Sequence, residues 1–224
     1  MKKLLMTAGG PNMERLLRHS VPTFRRFAET HDYDLVVERD INDAPDRKDP
    51  LFRAAQWAKV GLFEKYLPLY DLVVWMDADV MITKFDKDIA DDFNQDCFQA
   101  FVLEQFPTRF NPNSGVWAMR QGGESLAFLK AVRSIGQIDH IWTDQAAICI
   151  ALGREVYKNP DISDPAGHVK LVNPSEYLKR TSWLAPEWNP LGLAAKWPSR
   201  LQHFAGLSNE ERILKMKALS QKSS

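Results

Sequence analysis

Asp77-Ala78-Asp79 is the pattern in this chain with the most direct chemical meaning. It follows Leu-Val-Val-Trp-Met (Leu72–Met76), an apolar run too short for a helix and suited to a buried parallel strand. Alternate residues of an extended chain point the same way, so both carboxylates can face one point just past the strand's end. In an open α/β sheet, ligands sit in that crevice, beyond the carboxyl ends of the strands. Two hard oxygen donors there suit Mg²⁺ or Mn²⁺, which take further ligands from water and from a substrate's phosphates. Taken alone, Asp-x-Asp also describes a solvated turn; its placement after a buried strand favours the metal.

Four further signals are weaker one by one. On a helix over 51–66, Ala55, Ala58, Leu62, Phe63 and Tyr66 share an arc with Lys59, whose ammonium must either snorkel to water or meet an anion such as a phosphate. Asn113-Ser114-Gly115 has turn composition and precedes an apolar strand, Val116-Trp117-Ala118-Met119. Thr143-Asp144-Gln145 opens an apolar helix, where Thr143 can cap and Asp144 can complement the helix dipole. His203 lies between Leu201 and Phe204, a setting in which a hydrogen-bonded core imidazole is common.

The elements that must position these groups alternate between strand and helix. A first strand over 3–7 runs into Ala8-Gly9-Gly10-Pro11, a loop in which glycine lets the backbone approach a ligand. A helical stretch interrupted near Pro22 follows, then a strand over 34–38, a polar loop over 39–50, and the helix carrying Lys59. This alternation predicts an α/β sheet with crossover connections. Beyond Gly153 the chain reads as loop-rich, punctuated by prolines from Pro160 to Pro198, with Trp183, Trp188 and Trp197 among them. Ser208-Asn209-Glu210-Glu211 has the spacing of a capping box opening a final helix, whose Arg212, Lys215, Lys217 and Lys222 read as a solvated face.

Composition bounds the function. The 224 residues, 45% hydrophobic, suit one large domain or one domain with an elaborated end. With 29 Lys plus Arg against 29 Asp plus Glu, the formal net charge is zero, which disfavours nucleic-acid binding through bulk charge. Cys97 and Cys149 form neither a disulfide framework nor a zinc site between them. The apolar start is too short for a signal peptide, and the longest apolar run, 146–152, is far short of a membrane span. These features predict a cytoplasmic chain without a transmembrane segment.

In chain order, Trp57-Ala58-Lys59, Leu72–Met76 with Asp77-Ala78-Asp79, Asn113-Ser114-Gly115, Asp144-Gln145 and His203-Phe204-Ala205-Gly206 resemble the GT-A fold glycosyltransferases of family 34. That family includes galactosyl-, xylosyl- and mannosyltransferases, and the glycogenin-like family 8 shares much of the order. The resemblance implies a GT-A type α/β domain over 1–207, with a Rossmann-like, mostly parallel central sheet flanked by helices and a loop-rich C-terminal part. A C-terminal helix and tail over 208–224 would follow.

It also implies a metal-dependent, retaining transfer of a sugar from a nucleoside diphosphate sugar, with UDP as the family's usual carrier, to a carbohydrate or glycoconjugate hydroxyl. Asp77, Asp79 and His203 would hold Mn²⁺ or Mg²⁺, with Ala78 and Gly206 beside them on the donor. Lys59 would contact a donor phosphate, while Thr7, Ala8 and Gly9 would pass the nucleoside. Asn113, Ser114 and Gly115 would lie along the donor sugar, and Asp144 with Gln145 would hold its hydroxyls near the anomeric carbon. At least one of Trp183, Trp188 and Trp197 is expected on the acceptor side. The rival readings are a sugar-phosphate nucleotidyltransferase, from the glycine-containing opening, and a non-catalytic carbohydrate-binding protein on the same fold.

Overall fold

A computed structural model describes residues 1–43, 50–106, 109–138, 140, 142–156, 169–191 and 199–222. The first half contains β1 (Lys3–Ala8), α1 (Glu14–His31), β2 (Tyr33–Glu38), α2 (Pro50–Tyr66), β3 (Leu72–Met76), β4 (Val80–Ile82), β5 (Gln99–Phe106) and β6 (Arg109–Arg120). The second contains α3 (Gly123–Ile135), α4 (Thr143–Ala151), β7 (Arg154–Val156), β8 (Val169–Leu171), α5 (Glu176–Lys179), β9 (Thr181–Leu184), β10 (Leu201–His203) and α6 (Asn209–Lys222).

The central sheet has the order β2-β1-β3-β6-β5-β9. Strand β1 pairs in parallel with β2 and β3, and β9 in parallel with β5, while β6 runs antiparallel to both its neighbours. Five of the six strands therefore share one direction, as the mostly parallel α/β expectation requires. Every residue of β3 is buried. Its side chains alternate between two cores: Leu72, Val74 and Met76 pack with Phe24 and Phe27 of α1, and Val73 and Trp75 pack with α2, α3 and α4. At roughly 1.5–3 kcal/mol for each fully buried apolar side chain, β3 is a firmly anchored base for the residue that follows it, Asp77.

Two local expectations change. Helix α1 is not interrupted at Pro22 but runs through it. Its face of Leu16, Leu17, Ser20, Phe24, Phe27 and Ala28 is buried, and that tertiary packing outweighs the lost backbone bond. Asn113-Ser114-Gly115 is not a turn before a strand but lies inside β6. Opposite β5 the pairing jumps from Phe101↔Trp117 to Val102↔Asn113, so the intervening β6 residues bulge out of register.

The capping box is present: the Ser208 hydroxyl accepts from Glu211 N–H at 3.3 Å, and Glu211 Oε2 accepts from Ser208 N–H at 2.9 Å. Helix α6 packs on α1, with Met216 fully buried against Leu16 and Met81. A separate two-stranded ladder pairs β10 antiparallel with β4, setting His203 opposite Val80.

Candidate active site

The site is assembled where β3, the β6 bulge and the β4–β10 ladder meet. Asp77 leaves β3 with its N–H donating to the Gly115 carbonyl at 2.9 Å, and Val80 N–H closes the Asp77-Ala78-Asp79 turn onto the Asp77 carbonyl at 3.0 Å. The register of β10 brings His203 against this turn, and Phe204 N–H donates to the Asp79 carbonyl at 3.1 Å. His203 Nε2 lies 3.3 Å from Asp79 Oδ1 and 3.9 Å from Asp77 Oδ2. One ligand atom from each of these three residues falls within 4.8 Å of the others. Gly115 is demanded by this convergence: a Cβ there would sit 2.4 Å from His203 Cε1 and 3.0 Å from Asp77 Oδ2.

The orientation of His203 is fixed from its other side. Its Nδ1 is 2.8 Å from Asn189 Oδ1, and Asn189 Nδ2 donates to Asn113 Oδ1 at 2.7 Å. With its amide so engaged, Asn189 offers an oxygen to Nδ1–H and leaves Nε2 pointing at the two carboxylates. Burial alone would lower the His203 pKa, but Asp79 and then Asp77 outweigh it and hold the imidazole above its ordinary value. Burial likewise works to raise the Asp79 carboxyl, yet His203 and Arg212 bring it down to about 2.

Lys59 does not snorkel to bulk water: it meets two carboxylates of the chain itself and lines the cavity. Its side chain is 5% exposed, and Nζ lies 3.1 Å from Asp144 Oδ2 and 3.2 Å from Asp77 Oδ1. The Ser114 hydroxyl is a further partner at 3.2 Å, and the Trp75 ring lies 5.3 Å away. Burial would depress the ammonium's pKa; Asp144 and Asp77 together raise it. Ser114 knits the rest together, its hydroxyl donating to Asp144 Oδ2 at 3.0 Å and its N–H to Gln145 Oε1 at 3.1 Å. Asp144 and Gln145 are thus both buried and turned toward the bulge of β6.

These groups line one cavity of about 470 Å³, within the range of small-molecule sites. Ala8, Gly9, Gly10, Met13, Ile41 and Asp43 form part of its wall, and Ala78 and Gly206 also face it. Of the expected donor-side residues, Thr7 alone is absent from the lining: it is fully buried in β1. Two of the three candidate acceptor tryptophans, Trp183 and Trp188, are not there either. Trp188 is a core residue, edge-on to Phe27 with its Nε1 donating to Asp92 at 2.7 Å, so it has no face left for a sugar. Trp183 is exposed on β9 and lines a different groove with Asp91 and Lys179. Trp197 lies outside the described residues.

Sequence reasoning missed Asn189, Glu104, Trp142 and Arg212. Arg212 corrects the expectation of a solvated face: its side chain is 14% exposed, it lines the cavity, and its Nε lies 3.3 Å from Asp79 Oδ2 and donates to the Phe204 carbonyl at 3.1 Å. A local signal existed in its position one residue after the capping Glu211, which points it back toward His203-Phe204. Nothing local marks Asn189.

No protein-family model matches the chain, and no curated protein sequence matches it. Solved structures do match in shape. A glycosyltransferase involved in glycosylation of the major capsid of PBCV-1 aligns over 97% of this chain and all of its own, with TM-score 0.64 and 16% identity. The bifunctional glycosyltransferase WbbM aligns over the whole chain, which spans 52% of WbbM, with TM-score 0.61 and 12% identity. The galactosyltransferase LgtC, solved with donor and acceptor sugar analogs, aligns over 97% of this chain and 95% of its own, with TM-score 0.51 and 10% identity. At these identities the likeness is one of fold, and the fold of this chain is that of the GT-A type glycosyltransferases.

Proposed function

We propose that this chain is a divalent-metal-dependent glycosyltransferase, moving a sugar from a nucleoside diphosphate sugar to a hydroxyl of a carbohydrate or glycoconjugate acceptor with retention of configuration. The observation that carries the reading is the convergence of Asp77, Asp79 and His203 at the strand ends of a GT-A sheet, inside a cavity that also holds Lys59, Asp144 and Gln145. UDP as carrier and the kinship with family 34, with family 8 as a neighbour, rest on the order of motifs in the sequence, and a cytoplasmic place of action on the unpaired, buried Cys97 and Cys149.

The donor set fits a divalent ion. Two carboxylates supply hard oxygens, and an imidazole whose Nδ1 is already engaged supplies a nitrogen, a mixture that suits Mn²⁺ at least as well as Mg²⁺. When bound, the ion supplies Lewis-acid stabilisation of the negative charge that grows on the leaving diphosphate.

The chain's own residues do the rest. Lys59 sits between Asp77 and Asp144, 3.2 Å from one and 3.1 Å from the other, and fixes both carboxylates in place. Asp144, fixed by Lys59 and Ser114, presents a carboxylate to a sugar that becomes oxocarbenium-like as its bond to the diphosphate breaks. Gln145, held by Ser114 N–H, orients the sugar's hydroxyls. Arg212, which lines the cavity beside Asp79, is a second cation with Lys59 on the side where the diphosphate would lie.

The test is incubation with Mn²⁺ and each common nucleotide sugar, alongside a thermal-shift panel of UDP, GDP, CDP and TDP. Slow donor hydrolysis that stops in EDTA is expected. Turnover that requires a nucleoside triphosphate would instead identify a nucleotidyltransferase, and turnover that persists in excess EDTA would refute the metal.

A further inference from the structure

Trp142 lines the cavity on the segment that enters α4, two residues before Asp144. It is half-buried, whereas Trp75, which also lines the cavity, is 5% exposed and commits its Nε1–H to Asp77. His140 holds Trp142 through both its backbone and its ring. The Trp142 backbone N–H donates to His140 Nδ1 at 3.1 Å, and the buried His140 ring stands edge-on to the indole, with centroids 5.1 Å apart and planes at 70°.

The next residue is the unusual one. Thr143 has φ +36°, a left-handed backbone that β-branched residues strongly avoid. Such a conformation costs about 1–3 kcal/mol and persists only where the surroundings over-determine it, as at ligand clamps. They do so here: Thr143 N–H donates to the His140 carbonyl at 3.1 Å, and its hydroxyl is bonded to Gln56 of α2 and to Asp144 Oδ1. The consequence is a fixed relation between the indole of Trp142 and the carboxylate of Asp144, built by a backbone conformation that the helix α4 does not itself need.

We propose that Trp142 is the platform on which the acceptor saccharide packs, one apolar C–H face of a sugar ring lying against the indole, with Thr143 setting its spacing from Asp144. The proposal rests on the glycosyltransferase reading and adds to it the chemical class of the acceptor, a glycoside rather than a peptide or lipid hydroxyl. An acceptor hydroxyl must reach the donor carbon beside Asp144, so the ring that bears it has to enter the cavity that Asp144 and Trp142 both line. An aromatic face is what a sugar's apolar side seeks, and Trp142 provides it at that place, where Trp183 and Trp188 do not.

The experiment compares transfer to water with transfer to methyl glycosides of glucose, galactose, mannose and xylose, in wild type, Trp142→Ala and Trp142→Phe. Saturation-transfer NMR on the same methyl glycosides, without donor, reads binding directly. In Trp142→Ala the acceptor KM rises by about tenfold to thirtyfold, as for truncation of an aromatic anchor, and the transfer-to-hydrolysis ratio falls in proportion. Trp142→Phe recovers part of both, and the NMR contact with one ring face disappears in Trp142→Ala.

Equal loss of hydrolysis and transfer in both variants overturns the proposal, as does a wild type that binds no methyl glycoside. If Trp142→Ala does not fold, Trp142→Phe and Trp142→Leu are judged by the same ratio. A wild type that binds methyl glycosides through Trp142 but hydrolyses no nucleotide sugar refutes the transferase reading and leaves the platform standing. A transferring wild type whose Trp142 variants keep the wild-type ratio refutes the platform alone.

Discussion

Replacing Lys59 by methionine keeps the apolar stem and removes the charge that separates two carboxylates. The side chains of Lys59 and Asp144 are each 5% exposed, so the carboxylate left behind stays in a dry site with Ser114 and Thr143 as its remaining donors. Asp77 is more accessible, at 29%, and is relieved in part by water. Breaking a buried pair from one side costs about 3–5 kcal/mol, since an uncompensated charge remains. For a chain of this length that corresponds to a melting temperature lower by about 6–20 °C. The assay is urea and thermal denaturation of wild type, Lys59→Met, Asp144→Asn and the double variant. The double variant is expected to be more stable than the sum of the single losses predicts, because it removes both members of the pair. A Lys59→Met protein as stable as wild type within about 0.5 kcal/mol, or strict additivity in the cycle, would refute the claim that this lysine holds the carboxylates rather than decorating the helix.

Three other outcomes follow from the site. Asp77→Asn and Asp79→Asn are expected to abolish Mn²⁺-dependent donor turnover, with circular dichroism spectra like wild type, and residual turnover at the wild-type rate would count against the metal site. Asn189→Leu frees the His203 ring, and calorimetry with Mn²⁺ should show affinity lower by about 10–100-fold, the usual effect of losing a partner behind a metal-binding imidazole. In metal-free protein the Asp79–His203 pair should define a pH window. Asp79, depressed to about 2, contributes stability that is present above its ordinary 3.8 and lost as the pH falls through about 2. His203, raised above 6.5, contributes stability that is present below 6.5 and lost as the pH rises through its raised value. Urea midpoints measured in EDTA should fall at both ends, and His203→Asn should flatten the profile.

What the sequence made legible is what local periodicity controls. A five-residue apolar run before Asp77 announced a buried strand, an apolar arc placed Lys59 inward, and Ser208 with Glu211 announced a helix start. What it hid depends on partners far along the chain. The bulge that turns Asn113-Ser114-Gly115 toward the site is a register event between β5 and β6, and composition alone reads those residues as a turn. Pro22 breaks helices in isolation, but the buried face of α1 carries it through. The apolar arc leaves Lys59 either to snorkel or to meet an anion, and which anion it meets is decided by where β3 ends and α4 begins. Trp188 and Trp142 differ in no local feature that separates a core indole from one facing a cavity; how deeply the fold buries each makes the distinction, and it is set for Trp188 by distant residues such as Phe27 and Asp92.

The short β4–β10 ladder has a consequence for how the protein comes into being. Asp79 and His203 are 124 positions apart (203 − 79), and the three-rung pairing is what closes that loop at the site. Because β5, β6 and β9 are already held in the central sheet, the segment that β10 closes is only the shorter stretch that follows β9, and its entropic penalty grows with the logarithm of that length. During synthesis the N-terminal strands can pair long before β10 emerges, so Asp77 has Lys59 while Asp79 stands for a time without His203 and Arg212. An ion captured afterwards ties the two ends of the loop together and stabilises the closed form in proportion to its concentration over its dissociation constant. On the proposed reading the ion would be a clasp as well as a reagent, and limited proteolysis in EDTA should cut the closing segment from β10 onward while the sheet behind it stays intact.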